Sequence, residues 1–307
     1  MKKQERAAII CAALGNGIFG FSFMFSRIAL GIAQPFVMLM YRFVITLIVL
    51  LGVAAWAARR PARAAEQGID WLRFDLRGKN IWPLVGIGVI QPVGYFLCES
   101  YGISLTNATF SGVIIALVPI AAMISGAISL GEIPKGRQIA FSLLSITGVI
   151  LMTLQQNAEG QIHALGVVLL IGAVVTGAYF NVMSRKASAQ FSVLERTVVM
   201  MAVAAGTFTV LAVIQCRSDL TQLIEPMRHA PFLGAMAYLA LCSSIVAFLS
   251  LNFANNYLPV AKSTAFANLT TVISLFAGVI FLHEPFGVVS LAASVMIVAG
   301  IWGVQKG

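Results

Sequence analysis

The stretch Ser129-Leu-Gly-Glu-Ile-Pro-Lys-Gly-Arg137 sets a single carboxylate, Glu132, between two long apolar runs, and a near copy, Phe281-Leu-His-Glu-Pro-Phe-Gly287, follows 152 residues later. Sliding the chain over itself by that interval, without a gap, superposes Ser111 on Ser263, Gly126 on Gly278, Leu130 on Leu282 and Glu132 on Glu284. Ser142 on Ser294 and Gly148 on Gly300 follow in the same register. The chain therefore reads as a duplication, with halves over residues 1–157 and 158–307. Each Glu closes one apolar run and precedes another, with Pro134 or Pro285 close behind. That placement suits a carboxylate at the positive end of a helix dipole and a proline in a first turn. Boundary punctuation is the favoured role of both; a part in transport comes second.

The runs themselves decide the solvent. With 59% hydrophobic residues, 10% charged and a mean hydropathy of +0.92, the chain is far more apolar than a water-soluble domain of about 25% charge. Apolar segments recur over residues 7–29, 35–58, 81–104, 108–130, 136–154, 164–184, 192–214, 232–252, 259–282 and 286–304. Stretches of about 20 such residues cross a hydrocarbon core of roughly 30 Å as helices. A β-barrel requires alternation along each segment, and these are apolar on all sides. The expected fold is an all-α integral membrane protein of about ten transmembrane helices. The first segment is longer than the apolar part of a secretory signal and is kept as a span.

Five spans separate Glu132 from Glu284, and five is odd. The two carboxylates thus face opposite sides, and the two five-helix repeats are inverted relative to one another. Of the 20 Lys and Arg residues, the joints on one side hold only Arg27, Arg217 and Arg228, while Arg42 lies inside a span. The positive-inside bias then places both termini in the cytoplasm. The charge has no soluble basic domain to sit on, so nucleic acid is excluded as a partner. The long joint from Arg59 to Asn80 reads as a solvated loop, with Trp71, Leu72 and Phe74 at the interface as the alternative. Cys11, Cys98, Cys216 and Cys242 show no metal-ligand spacing and read as packing residues, so neither metal nor cofactor is expected.

Inverted repeats are a recurring plan of secondary transporters, with the site near the bilayer midplane. The starts of the halves echo more weakly, Phe21-Ser-Phe-Met-Phe-Ser-Arg27 against Tyr179-Phe-Asn-Val-Met-Ser-Arg185. Ionisable groups inside spans are the strongest pathway candidates, because they are costly unless paired or wet. Arg42 and Glu99 qualify, at similar depth, and are expected to form an ion pair or to line an outward vestibule. Gln91, Tyr95 and Glu99 are spaced by four and are expected on one helix face. The repeat equivalent of Glu99 is Leu251, so any proton coupling would be asymmetric. Further pathway candidates are Asn16, Tyr41, Tyr101, Tyr179, Ser244 and Asn252, each with helix packing, interhelical hydrogen bonding or an interfacial belt as the competing role. Glycines at positions 15, 17, 20, 86, 88 and 94 are expected to let half-bundles slide or bend.

Ten spans, an inverted duplication, spans ending in Leu-Gly-Glu132 or Leu-His-Glu284, and last spans of small residues near Gly148 or Gly300 together resemble the drug/metabolite transporter superfamily. The likeness is to its EamA-type members, and among them to the YddG-type exporters of aromatic and other bulky amino acids. It covers nearly the whole chain and implies a multi-pass exporter of the bacterial inner membrane, with an amino acid as substrate, the lipid bilayer as partner and protons as a prospective second partner. The residues agree on substrate class. A phosphate carrier presents several buried cations, whereas here Arg42 stands with only Arg196 and Lys262 as further candidates. Exporters of other small uncharged or zwitterionic metabolites or drugs are the alternative. An intramembrane enzyme is disfavoured because His163, His229 and His283 all fall at span boundaries and Glu99 has no acidic companion. A channel is disfavoured by the inverted repeat.

Overall fold

In a computed structural model, the protein is described over residues 3–59, 72–106, 114–154, 163–282 and 287–307. Glu284, with His283 and Pro285, lies outside the described residues, as do Trp71 and the joint at 155–162. Among the described residues there are helices and no strands. They run as α1 (Lys3–Leu30), α2 (Pro35–Arg59), α3 (82–104), α4 (Val118–Leu130), α5 (Gly136–Leu154) and α6 (Ala164–Ala187). Then come α7 (Val193–Gln215), α8 (Ala230–Tyr257), α9 (260–282) and α10 (Val288–Lys306). Six of them are long and apolar enough to cross a membrane, namely α1, α2, α6, α7, α8 and α10. Large apolar side chains face outward, Ile48, Ile128 and Val295 among them, which water would penalise and lipid does not.

Local chemistry sets the helix ends. Proline opens α2 at Pro35 and α4 at Pro119, where a missing N–H costs nothing. Gly131 ends α4 at φ +67°, in the left-handed region that only glycine enters without strain. A capping box starts α7: Glu195 N donates to Ser192 Oγ at 3.1 Å, and Ser192 N to Glu195 Oε2 at 2.8 Å. The segment 72–80 is no solvated loop, because Leu72, Phe74 and Leu76 pack against the core and Asp75 N donates to Glu195 Oε1 at 2.8 Å.

Two helices are interrupted near their middles. In α3 the helix is kinked over Val89–Gly94, where Gln91 leaves the helical region at φ −146° and ψ 127° just before Pro92. In α8 a π-type widening runs over Tyr238–Ala247. The two segments overlap when the chain is shifted by the repeat interval of 152 residues, so the duplication carries its irregularity with it.

Packing obeys the same exchange. Exchanging each of α1–α5 with its counterpart among α6–α10 turns the contact of α3 with α6 into that of α8 with α1, and that of α4 with α6 into that of α9 with α1. Likewise α3 on α7 becomes α8 on α2, while α2 on α7, α4 on α9 and α5 on α10 map onto themselves. The last pair is reciprocal at the atomic level. A Cβ on Gly148 would meet Ala293 O at 2.8 Å and Ile297 Cγ1 at 2.9 Å; one on Gly300 would meet Phe141 O and Ser145 Cβ at 2.6 Å. Each of these four partners is the repeat equivalent of another, and Ser145 Oγ reaches 3.5 Å from the carbonyl of its own equivalent, Ile297. A pseudo-twofold axis therefore passes through the α5–α10 crossing, where small residues let two backbones approach.

Candidate functional site

Arg42 is carried into the core by α2 and is 3% exposed. Its Nε donates to Ser244 Oγ at 2.8 Å and its Nη2 to Ser243 Oγ at 2.7 Å. Two consecutive serines serve one guanidinium because the widened turn of α8 brings successive side chains closer in angle than a regular helix does. Phe43 and Phe96 flank the cation, with ring centroids 5.5 and 5.1 Å from its central carbon. Phe43 in turn stacks on Phe208 at 5.5 Å, so the aromatic wall is itself packed in place.

Glu99 is half-buried on α3 and accepts from Tyr95 Oη at 2.9 Å. Tyr95 is braced by Phe96, edge-on at 5.7 Å, and lies over Gly177 of α6, where a Cβ would stand 3.3 Å from the ring. The i to i+4 spacing thus puts Tyr95 and Glu99 together. Gln91 does not continue that face, because its extended backbone breaks the helical register; its Oε1 is buried with no hydrogen-bond partner. Arg42 and Glu99 do not approach within the 4.0 Å of an ion pair. Each lies in the other's field without touching it.

The other candidates are spread out. Tyr41 Oη donates to Leu223 O at 2.7 Å, near the turn that follows α7. Tyr101 and Tyr179 are exposed at 48% and 44%. Asn16 Nδ2 donates to Ala12 O within α1 at 2.8 Å, beside Gly15 and Gly20, where α1 lies tight against α8 and α9. Asn252 is fully buried: it donates to Thr197 Oγ1 at 3.1 Å and accepts from Ser184 Oγ at 2.6 Å.

Asn252 belongs to a dense brace at the end of the bundle that carries Lys79, Arg185 and Arg196. Arg196, 0% exposed, fills its donors with Ser184 O and Oγ, Asn252 O at 2.9 Å, Asn256 Oδ1 and Ser192 O at 3.4 Å. Arg185 pairs with Glu132 and also donates to Asn255 O at 3.1 Å. Glu132 Oε2 accepts from Val260 N at 2.7 Å, so this carboxylate does sit at a helix amino terminus, but that of α9 rather than of the next helix in the chain. Lys79 bonds both oxygens of Glu195, at 2.8 and 2.9 Å. Helices α4, α6, α7, α8 and α9 and the 72–80 segment are tied together here. The sequence reading passed over Glu195, although Ser192-Val-Leu-Glu195 before an apolar run is a capping-box signature. A cleft of about 460 Å³ lies beside this brace, lined by Arg73, Lys79, Gln190 and Tyr257 among others. Among the described residues no three His, Cys, Asp or Glu side chains gather as a metal would require.

Comparison with known proteins agrees with this architecture. The sequence matches the EamA-like transporter family over residues 6–154 and 164–305. It is 28% identical over 306 residues to the uncharacterized transporter YcxC of Bacillus subtilis (strain 168), covering 99% of this chain and 94% of that one. It is 26% identical over 227 residues to a probable terminal-alkyne amino-acid exporter of Streptantibioticus cattleyicolor, covering 73% of each. A solved crystal structure superposes with a TM-score of 0.76 over 98% of this chain and 97% of that one, at 17% identity, a likeness of fold alone.

Proposed function

The chain belongs to the EamA-like transporter family, and from that premise we propose that it exports amino acids with bulky neutral or aromatic side chains across the bacterial inner membrane by alternating access. The observation that carries the reading is the contrast between a densely bonded end and two charged groups within the bundle whose hydrogen bonding is incomplete. At the basic end Glu132, Arg185, Arg196 and Asn252 satisfy one another; deeper in, Arg42 and Glu99 keep free hydrogen-bonding capacity. A cytoplasmic gate drawn shut over a polar site near the midplane is one half of an alternating cycle. The halves 1–157 and 158–307 are the moving bodies, and the exchange symmetry of their packing supports a second state of opposite opening. The reading takes ten crossings with both termini cytoplasmic, an orientation that the positive-inside bias of the sequence supports.

Substrate class follows from charge. The donors of Arg196 are committed to the protein itself, so Arg42 is left as the buried arginine available to cargo. One cation is too few for a phosphate and enough for a carboxylate. The Streptantibioticus relative, named as a probable amino-acid exporter, supports the same class.

Uptake of labelled phenylalanine and leucine into proteoliposomes, with and without a pH gradient, tests the proposal. The expected result is saturable flux accelerated by unlabelled substrate inside. Flux without such acceleration would indicate a channel and overturn it.

A further inference from the structure

Two buried arginines stand on counterpart helices of the two halves, Arg42 in α2 and Arg196 in α7, yet the protein uses them differently. All three nitrogens of Arg196 donate to protein oxygens. Arg42 engages two hydroxyls through Nε and Nη2, and among the described residues its Nη1 has no acceptor, although the residue is only 3% exposed. A guanidinium carries five N–H donors in a planar fork that matches a carboxylate. The serines that hold Arg42 are neutral, so they orient the fork without cancelling its charge.

Glu99 is the complementary case. Tyr95 holds Oε1, and among the described residues no donor reaches Oε2 and no cation pairs with the carboxylate. Phe96 joins the two sites, because its ring faces Arg42 at 5.1 Å and its neighbour Tyr95 carries the bond to Glu99. A cation and an anion fixed on adjoining helices, each oriented by neutral hydroxyls and kept from closing on one another, are costly in a membrane span unless something of the opposite polarity completes them.

We infer that Arg42 and Glu99 are the two poles of a zwitterion receptor, Arg42 taking the carboxylate of the cargo and Glu99 its ammonium group. The inference rests on the proposed export of amino acids and makes it narrower. It selects free α-amino acids, which carry both charges on one carbon, over esters, amines and N-acylated derivatives of the same side chain.

The test uses the full-length protein in detergent and in proteoliposomes, with L-phenylalanine, its methyl ester, phenethylamine and N-acetylphenylalanine as probes. Binding is read by thermal shift, and transport by competition against labelled phenylalanine. Hydrogen bonds to charged groups predict that the wild type prefers phenylalanine by about tenfold or more over each derivative. Arg42→Gln is expected to abolish discrimination against the ester and the amine while leaving that against the N-acetyl compound, and Glu99→Gln the reverse. Should Arg42→Gln fail to fold, Arg42→Lys, which keeps the charge and loses the fork, is expected to reduce the preference over the ester several-fold. Phenylalanine exchange with equal preferences in wild type and variants would overturn the receptor and leave the exporter standing. Zwitterion-selective binding without exchange would overturn the exporter and leave the receptor; neither binding nor exchange overturns both.

Discussion

Glu132 shows how far a single residue can be read in advance. Its place at a span boundary, just before a proline, pointed to a helix amino terminus, and it does accept from one. What could not be foreseen was whose. Val260 and Arg185 lie 128 and 53 residues away, and only folding brings them to this carboxylate. A partly exposed ion pair contributes about 1 kcal/mol, so Glu132→Gln is expected to raise the open population at this end about fivefold. Labelling of a cysteine introduced at Ser263, which is 2% exposed in this state, would report the change. Arg196 is the stronger strut. Arg196→Lys keeps the charge but cannot reach several oxygens at once, and losing two charge-assisted bonds is expected to cost about 3 kcal/mol or more. The melting temperature of the purified protein should fall sharply, while the corresponding change at Arg42 falls chiefly on substrate preference.

At the level of helices, most boundaries were legible because hydropathy marks them directly. The eighth span runs on to Tyr257, since Asn252 and Asn255 find partners on neighbouring helices and need not leave the bundle, and the fourth, expected over 108–130, has its helix from Val118, with 107–113 outside the described residues. The kink in α3 has a visible signal, Pro92 within an apolar run, whereas the widened turn in α8 has none, because neither composition nor spacing separates a π-type turn from an α-helix. They matter for the site, as Ser243 and Ser244 face Arg42 from one of them. The α5–α10 crossing offers a clean perturbation. Gly300→Leu would drive a side chain into Phe141 O and Ser145, and overpacking of this kind costs about 1–3 kcal/mol. Gly52→Leu, where a Cβ meets nothing within 4 Å, is the control expected to leave the elution profile and melting temperature unchanged.

For the whole molecule, the repeat interval and the joints made the architecture legible, whereas the tight brace at one end and the serines that hold Arg42 were not, because both depend on residues far apart in sequence. The inverted arrangement has a direct check. Cysteines introduced at Lys135 and Gly287 should react with an impermeant reagent from opposite faces of the membrane; reaction of both from one face would contradict it. The reciprocal seam of Gly148 and Gly300 also bears on how the protein is made. Helix α10 leaves the ribosome long after α5, and until it does, the small-residue groove of α5 lacks the partner that fills it. Docking of α10 therefore acts as a clasp between the two halves. A nascent chain cut short before Val288 would leave that groove open, and quality-control proteases would meet an unfinished bundle instead of a slightly shorter one.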